Sequence, residues 1–439
     1  MKHDAKHDLL RTAFVTDRTQ EFFTEAELAM QIGYGKALWP LVLVKELVDN
    51  ALDACEMTDR APEITVALEK DSITVSDNGP GLKPEIITKS LDYSQRISDK
   101  KYYVAPTRGQ LGNALKCVFA AAFVATGQPS RTEITSCGFD HRVEVRLDRI
   151  QQRPRIEHSC RKSRSVKKGS FVKVCWPDVA GLKTHERNAE FYQSTVREAL
   201  PDLILGFAAL NPHASFTLTS LGIRSALPAS DRGWRKWRTS DPTSAHWYRP
   251  QDLRELIAAY IRDGKRVTLR DFVGEFDGLA GTQYRKRVLA EAELTDACLA
   301  DLVSDGDLDM ARVERLLKVM QHVSRPVKPE RLGVIGQNNL DRVLIEHGVE
   351  EGFEYGKEAK IDDDGLPYVV EIAFGVGNGE DERKLIIGLN NSPVFKVPSG
   401  HLSDALTACH VQEFDPVVLL IHLSRPRFAF TDHGKGAIA

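Results

Sequence analysis

No stretch of this 439-residue sequence offers the roughly 18 consecutive apolar residues that a membrane helix requires. The strongest apolar runs, Val118–Ala125 and Val417–Ile421, are short and read as a core helix and a core strand. The opening residues, MKHDAKHDLLRT, are too polar for a secretory signal. Cysteine is sparse and scattered, at Cys55, Cys117, Cys137, Cys160, Cys175, Cys298 and Cys409, with no CxxC pair. That spacing argues against a zinc ribbon and a disulfide scaffold, and suits a reducing, cytoplasmic setting. There is no excess of positive charge: the net charge of -3 means that contact with DNA must come from local patches. Walker A and complete GxGxxG loops are also missing. Asp305-Gly306-Asp307-Leu308-Asp309 starts like a calcium loop, but Met310 and Leu316 stand where the loop needs Gly and Glu, so a helix boundary is expected there. What is present is the balance of a folded chain, 42% hydrophobic and 28% charged. At about 150 residues per domain, such a length implies two to four domains.

Neither internal repeats nor low-complexity segments interrupt the pattern. Up to about Leu227, helical and strand-like stretches alternate. Trp39–Glu56 has helical periodicity, and Glu63–Leu68 and Ser72–Ser76 are short strands around a Lys70-Asp71 turn. Leu111–Thr126 reads as an apolar helix and Thr195–Ala209 as another. Glu133–Ser136, Arg142–Leu147, Ser170–Cys175 and Ser215–Thr219 read as strands. This irregular order predicts an α+β layer, a mixed sheet with helices on one face. Ser230–Pro250, rich in Trp, Arg, Ser and Pro, reads as a linker or surface segment. Gln251–Val323 is nearly all helical in pattern, and Arg325–Pro329 breaks it. Strands return at Tyr368–Phe374, Lys384–Leu389 and Val417–Leu423. The expected domains are 1–228, 229–328 and 329–439.

Three stretches carry candidate chemistry. On the Trp39–Glu56 helix, Glu46, Asn50 and Asp53 recur at i, i+4 and i+7 and share a face. A solvated surface would look the same; alternatively, a carboxylate one turn from an amide oxygen can orient water and hold a hard cation. The strand Ile73–Ser76 runs into Asp77-Asn78-Gly79-Pro80-Gly81. This is good turn chemistry by itself, and its glycines also let backbone approach a ligand closely. Arg108-Gly109-Gln110-Leu111-Gly112-Asn113 precedes an apolar helix, where exposed amides and the helix dipole favour an anion.

In this order and spacing, the three stretches resemble the GHKL ATPases: gyrase, the ninety-kilodalton heat-shock chaperone, histidine kinases and mismatch-repair MutL. Their first motif looks like Glu46–Ala54, their second like Asp77–Gly81 and their third like Gly109–Gly112. Within that superfamily the likeness is greatest to the B subunit of topoisomerase VI, a type IIB topoisomerase, and runs nearly the whole chain. Phe22–Tyr34 resembles its N-terminal strap, and Thr126-Gly127-Gln128-Pro129 the turn after the phosphate-loop helix. Gly169-Ser170-Phe171 resembles the strand closing the nucleotide site, and Asn211–Ala214 a signature near the end of the ATPase domain. The stretch from His246 to about Lys328 is similar to a helix-two-turn-helix insert. Ile387–Pro393 is similar to a transducer strand and turn, and Thr431–Ala439 to a switch-lysine loop.

The resemblance implies a Bergerat-type ATPase sandwich, a helical insert and an α/β transducer, with ATP and Mg²⁺ as cofactors. It implies that Glu46 polarises the attacking water and Asn50 holds Mg²⁺. Asp53 would pack or hydrogen-bond near the adenine side, and Asp77 would accept from the adenine amino group. Gly79 and Gly81 would let the chain pass the base. Arg108 and Gly109, Gln110, Leu111, Gly112 and Asn113 would surround the phosphates, Ser170 would help close the site, and Lys435 would reach the γ-phosphate. Such roles suit phosphoryl transfer, which depends on positioning and charge neutralisation. Ser94-Gln95-Arg96 departs from the family's Ser-Lys pair, and Ala114 from the third loop glycine. The chain ends four residues after Lys435, before the long helix that docks on the cleavage subunit. The expected activity is ATP hydrolysis driving closure of a homodimer on double-stranded DNA, with a topoisomerase VI A-like or other DNA-processing partner. The alternative is a nucleotide-dependent clamp or scaffold in genome maintenance or defence that cleaves nothing. DNA cleavage by this chain alone is not expected. Arg161–Lys168 reads as a solvated hairpin tip or a contact to DNA backbone. Trp234-Arg235-Lys236-Trp237-Arg238 suits nucleic acid, or equally two rings capping a core. Asp362-Asp363-Asp364-Gly365 reads as a hairpin turn.

Overall fold

A computed structural model describes residues 22–93, 102–108, 114–148, 153–165, 168–184, 194–264, 266–304, 306–346, 348–377, 383–395, 401–412 and 414–428. Helix α1 (Glu25–Ile32) starts where the Thr24 hydroxyl accepts from the Glu27 amide at 3.2 Å, and ends at Gly33 in the left-handed region, φ 83°. Helix α2 (Trp39–Met57) carries Pro40 in its first turn, where no amide partner is lost. Strands β1 (Glu63–Glu69) and β2 (Ser72–Ser76), short helix α3 (Pro84–Lys89) and helix α4 (Ala114–Thr126) follow. Next come β3 (Ser130–Ser136), β4 (Phe139–Asp148), β5 (Arg153–Lys162) and β6 (Ser170–Cys175), then the two-residue pair β7 (Lys183–Thr184) and β8 (Ser194–Thr195). Helix α5 (Val196–Leu210) leads to β9 (Ser215–Ser220) and β10 (Ile223–Leu227).

Eight of these strands form one mixed sheet in the order β10-β9-β1-β2-β6-β3-β4-β5. Only the β1–β9 pair is parallel, with Glu63 opposite Ser215. Period-2 alternation aims Ile64, Val66 and Leu68 of β1, with Val172 and Val174 of β6, at the same face. That face is covered by α2, α4 and α5 through residues such as Val48, Leu52, Phe119, Ile204 and Phe207. The result is a sheet backed by one helical layer, the α+β sandwich expected. The strap residues Phe22 and Phe23 pack on the same core, against Tyr93 and Phe123.

The helical region comprises α6 (Pro250–Arg262), α7 (Leu269–Gly274), α8 (Thr282–Glu291) and α9 (Met310–Val323), with β11 (Val303–Ser304) and β12 (Asp307–Leu308) between the last two. Asp309, from the calcium-like string, caps α9 by accepting from the amides of Ala311 and Arg312. The reading of Ser230–Pro250 as a surface linker is corrected here. Trp234, Trp237, Trp247 and Tyr248 are only 6, 3, 1 and 4% exposed. Trp237 and Trp247 meet at 4.8 Å between ring centroids and belong to the helical core, while Arg331 lies over the Trp237 ring at 4.6 Å. Four large rings hold too much apolar area to leave in water, and the short polar residues around them disguised that in a composition average. Of the two readings of Trp234–Arg238, the core reading holds, because buried rings offer no face to a base.

The last region has helix α10 (Gln337–Glu346), strands β13 (Val349–Ile361), β14 (Pro367–Gly377), β15 (Lys384–Leu389), β16 (Ser392–Pro393), helix α11 (His401–Ala408) and β17 (Val417–Ser424). Its five-stranded sheet runs β13-β14-β17-β15-β16. Asp362–Gly365 forms the β13–β14 turn. Asn390 and Asn391 form the two-residue loop between β15 and β16, both with positive φ, 49° and 64°. Asn tolerates that conformation, and a loop of this twist suits a hairpin.

Candidate functional site

Helix α2 carries two adjacent polar stripes with opposite fates. Glu46, 32% exposed at its side chain, and the exposed Asn50 face solvent on one of them. Asp49, Asp53 and Glu56, also spaced i, i+4, i+7, lie on the other and are buried at 3, 3 and 5% exposure. Cys55 joins helix and bend, its thiol 3.2 Å from the Asn78 amide oxygen. Arg60 donates to the Gly79 carbonyl at 3.0 Å and also to that of Asn78, fixing the bend from outside.

The Asp77 carboxylate is held by its Oδ1, which accepts from the amides of Gly79 at 2.7 Å and Ser170 at 3.3 Å. The Ser170 side chain adds to these bonds, so the direction of the carboxylate is fixed. Burial pushes the Asp77 carboxyl up, against the two amides that favour its charged form. Close packing explains the glycines. A Cβ on Gly169 would sit 1.8 Å from the Asp77 carbonyl oxygen, and one on Gly79 2.9 Å from Oδ1. Gly81 has φ 91°, and a Cβ there would meet the Ser136 hydroxyl at 2.7 Å. The bend is thus a backbone-lined edge with one oriented carboxylate, suited to a flat base with an exocyclic amine. A half-exposed carboxylate and an exposed amide one turn apart on α2 are oxygen donors of the kind a magnesium–phosphate group takes.

The buried stripe does different work. Arg108, fully enclosed, donates to Asp53 at 2.6 Å, to both oxygens of Glu56 at 2.9 and 2.7 Å, and to Asn211. Glu56 also meets Lys236 Nζ at 3.0 Å and His213 Nε2 at 2.9 Å. Burial alone would raise the Glu56 carboxyl, but Arg108 and Lys236 hold it well below the ordinary carboxylate range. Burial lowers His213 despite its bond to Glu56. Near the start of the helix, Lys45 pairs with Asp49 at 2.9 Å and lies 3.7 Å from Glu46. Burial would lower Lys45, but Asp49 and Glu46 raise it above the ordinary lysine value.

Among the site residues expected from sequence, Glu46 and Asn50 lie on α2, Asp77, Gly79 and Gly81 on the bend, and Ser170 at the start of β6 beside it. Asp53 and Arg108 do not join them: the structure gives the Asp53 carboxylate and the Arg108 guanidinium to each other, inside the protein. Gly109, Gln110, Leu111, Gly112, Asn113 and Lys435 lie outside the described residues, as does Ser94-Gln95-Arg96. Sequence reasoning gave no role of their own to Lys45, Asp49, Glu56, His213 and Lys236, although Asp49, His213 and Lys236 lie in stretches it singled out. The repeat of acids at 49, 53 and 56 was the available signal for the first group of these.

Residues 35–177 match the HATPase_c family, the histidine kinase-, DNA gyrase B- and HSP90-like ATPases. The B subunit of type 2 DNA topoisomerase 6 from Pyrococcus horikoshii is 33% identical, with the match covering 97% of this chain and 82% of that protein. The protein of the same name from Archaeoglobus fulgidus is 24% identical over 93% of this chain and 68% of its own length. The ATPase region of Saccharomyces cerevisiae topoisomerase II covers 91% of this chain and 76% of that one, at 10% identity and a TM-score of 0.41. The identity and coverage of the Pyrococcus relative, together with the matched ATPase domain, show that this chain belongs to the family of type 2 DNA topoisomerase 6 B subunits.

Proposed function

We propose that the chain binds Mg·ATP between α2 and the Asp77–Gly81 bend and hydrolyses it, and that binding drives closure of two copies around double-stranded DNA. The Asp77 carboxylate would accept from the adenine amino group, and Ser170 orients that carboxylate through its amide. Asn50 supplies an oxygen to Mg²⁺, and the amides of Gly109–Asn113 wrap the phosphates. Glu46 polarises the attacking water, and Lys435 reads the γ-phosphate. Asp53 and Arg108 act from behind, by holding the root of the phosphate loop to α2. Three functional units accompany this reading: an ATPase unit at 1–228, a helix-two-turn-helix-like unit at 229–328 and a transducer at 329–439. The relatives are named as B subunits of a DNA topoisomerase, which supports DNA as the object and an A-like protein as the partner. No helix among the described residues is long and apolar enough to cross a membrane.

The observation that carries the reading is the division of α2. The other acids of the helix are buried and paired, Glu46 and Asn50 keep their polar ends open, and the same helix meets, through Cys55, a bend that has one oriented carboxylate. The test is Glu46→Ala. Turnover should fall at least 100-fold, a general-base contribution of about 10²–10⁴, while a non-hydrolysable ATP analogue binds with unchanged affinity. Hydrolysis at the original rate would remove Glu46 from its role. Sedimentation should show dimers with the analogue and monomers without it; the same distribution in both would end the closure proposal.

A further inference from the structure

The Asn390–Ser392 turn reaches from the five-stranded sheet to the back of helix α2. Ser392 Oγ donates to Asp49 Oδ2 at 2.7 Å, the same oxygen that holds Lys45 Nζ at 2.9 Å. Lys45 Nζ then stands 3.7 Å from Glu46 Oε1, too far for a hydrogen bond but within ion-pair range. Asp49 Oδ1 is buried and accepts no hydrogen bond, with Arg108 Nε only 4.0 Å away. Asp49 therefore lies between two cations, and the serine hydroxyl decides how its carboxylate is turned. Ser392 and Asp49 are 3% exposed and Lys45 is 9% exposed, so water screens little of this.

We propose that Ser392 is a positioning residue that keeps Lys45 on Asp49 and so leaves Glu46 free to engage water. With the turn in place, Asp49 claims the ammonium. When the turn withdraws, the Asp49 carboxylate rotates toward Arg108, Lys45 closes on Glu46, and the base is locked in a salt bridge. The position of the transducer sheet thereby gates hydrolysis without touching nucleotide. The neighbouring contacts fit a turn that senses position: the Asn391 carbonyl accepts from Asn211 at 3.0 Å and from Arg108 at 3.4 Å, and Asn390 donates to the Thr107 carbonyl at 3.3 Å. Both ends of the nucleotide machinery, the candidate base and the residue before the phosphate loop, rest on the same three residues.

This inference rests on Glu46 being the base, and the experiment separates the two claims. Ser392→Ala should lower kcat by about three- to thirtyfold, within the range of coupling between contacting residues, with analogue affinity unchanged and Tm lowered by no more than the loss of one buried hydrogen bond explains. In a K45M background the same substitution should change kcat by less than about twofold, because no ammonium remains to capture Glu46. A purely structural serine would cost the same in both backgrounds, and that result would overturn the proposal. Asp49→Asn provides a second route should K45M fold poorly: it should lower kcat as Ser392→Ala does, and adding Ser392→Ala should cost nothing more. Full additivity of the two would also overturn it. If Glu46→Ala abolishes turnover while Ser392→Ala does nothing, the gate is wrong and the base stands. If Glu46→Ala leaves turnover intact, both fall.

Discussion

Single residues show how a side chain's partners, not its type, decide its role. Glu46, Asn50 and Asp77 could be picked out from spacing, because a helix period and a strand-end glycine bend are local features. Arg108 could not be placed that way. It adjoins Gly109-Gln110-Leu111-Gly112 in the sequence, but its partners lie 52, 55 and 103 residues away. No local pattern announces a buried guanidinium between two carboxylates. Removing it leaves Asp53 and Glu56 enclosed without their main cation. Arg108→Met should therefore destabilise the fold by about 3–5 kcal/mol, seen as a lower urea midpoint with the unfolding slope unchanged. Gly169 makes the complementary case. Its φ of 86° and the 1.8 Å approach of a Cβ to the Asp77 carbonyl leave no room for a side chain. Gly169→Ala should weaken adenine-nucleotide binding by at least tenfold in calorimetry, because the bend must move and carry Asp77 with it; unchanged affinity would mean that the base does not lie against that bend.

At the scale of elements, legibility follows burial on one face. Strands β1, β2, β3, β6, β9, β14, β15 and β17 alternate apolar and polar residues or run apolar, and the sequence announces them. Strand β13 contains four glutamates and two lysines in thirteen residues and is largely exposed. Its pairing with β14 is made by backbone, so hydropathy carries no trace of it. The same holds for β5, an edge strand written in Arg, His and Ser. The helical region was legible as helices, but its core was not, because part of it comes from Trp237, Trp247 and Tyr248 in a segment that reads as a linker. Trp237→Ala should cost about 3–5 kcal/mol and lower the thermal midpoint. A loss below about 0.5 kcal/mol, the level of an ordinary surface substitution, would restore the linker reading.

Across the whole molecule, the three regions meet on the buried stripe of α2. Glu56 is bonded by Arg108, by Lys236 from the Trp-rich segment and by His213 after α5, while Asp49 takes the Ser392 hydroxyl from the far sheet. A junction made of enclosed charges depends on pH, and the sign can be worked out. His213 has a folded pKa below its ordinary value, chiefly through burial, so in the window just below about 6.5 the unfolded chain binds a proton that the folded chain refuses. Stability must then fall as pH drops through that window. His141, His158 and His246 are lowered by burial too and add to the same slope. Glu56, held well below the ordinary carboxylate range, costs nothing there; its contribution is present above about pH 4.5 and is lost on further acidification. The thermal midpoint should thus decline from pH 7.5 to 5.5 and more steeply below 4.5. His213→Gln should lessen the upper slope, and Glu56→Gln should flatten the lower part while starting from a less stable fold. A midpoint independent of pH between 7.5 and 5.5 would mean that folding does not lower the proton affinity of these histidines, and the burial argument would fail.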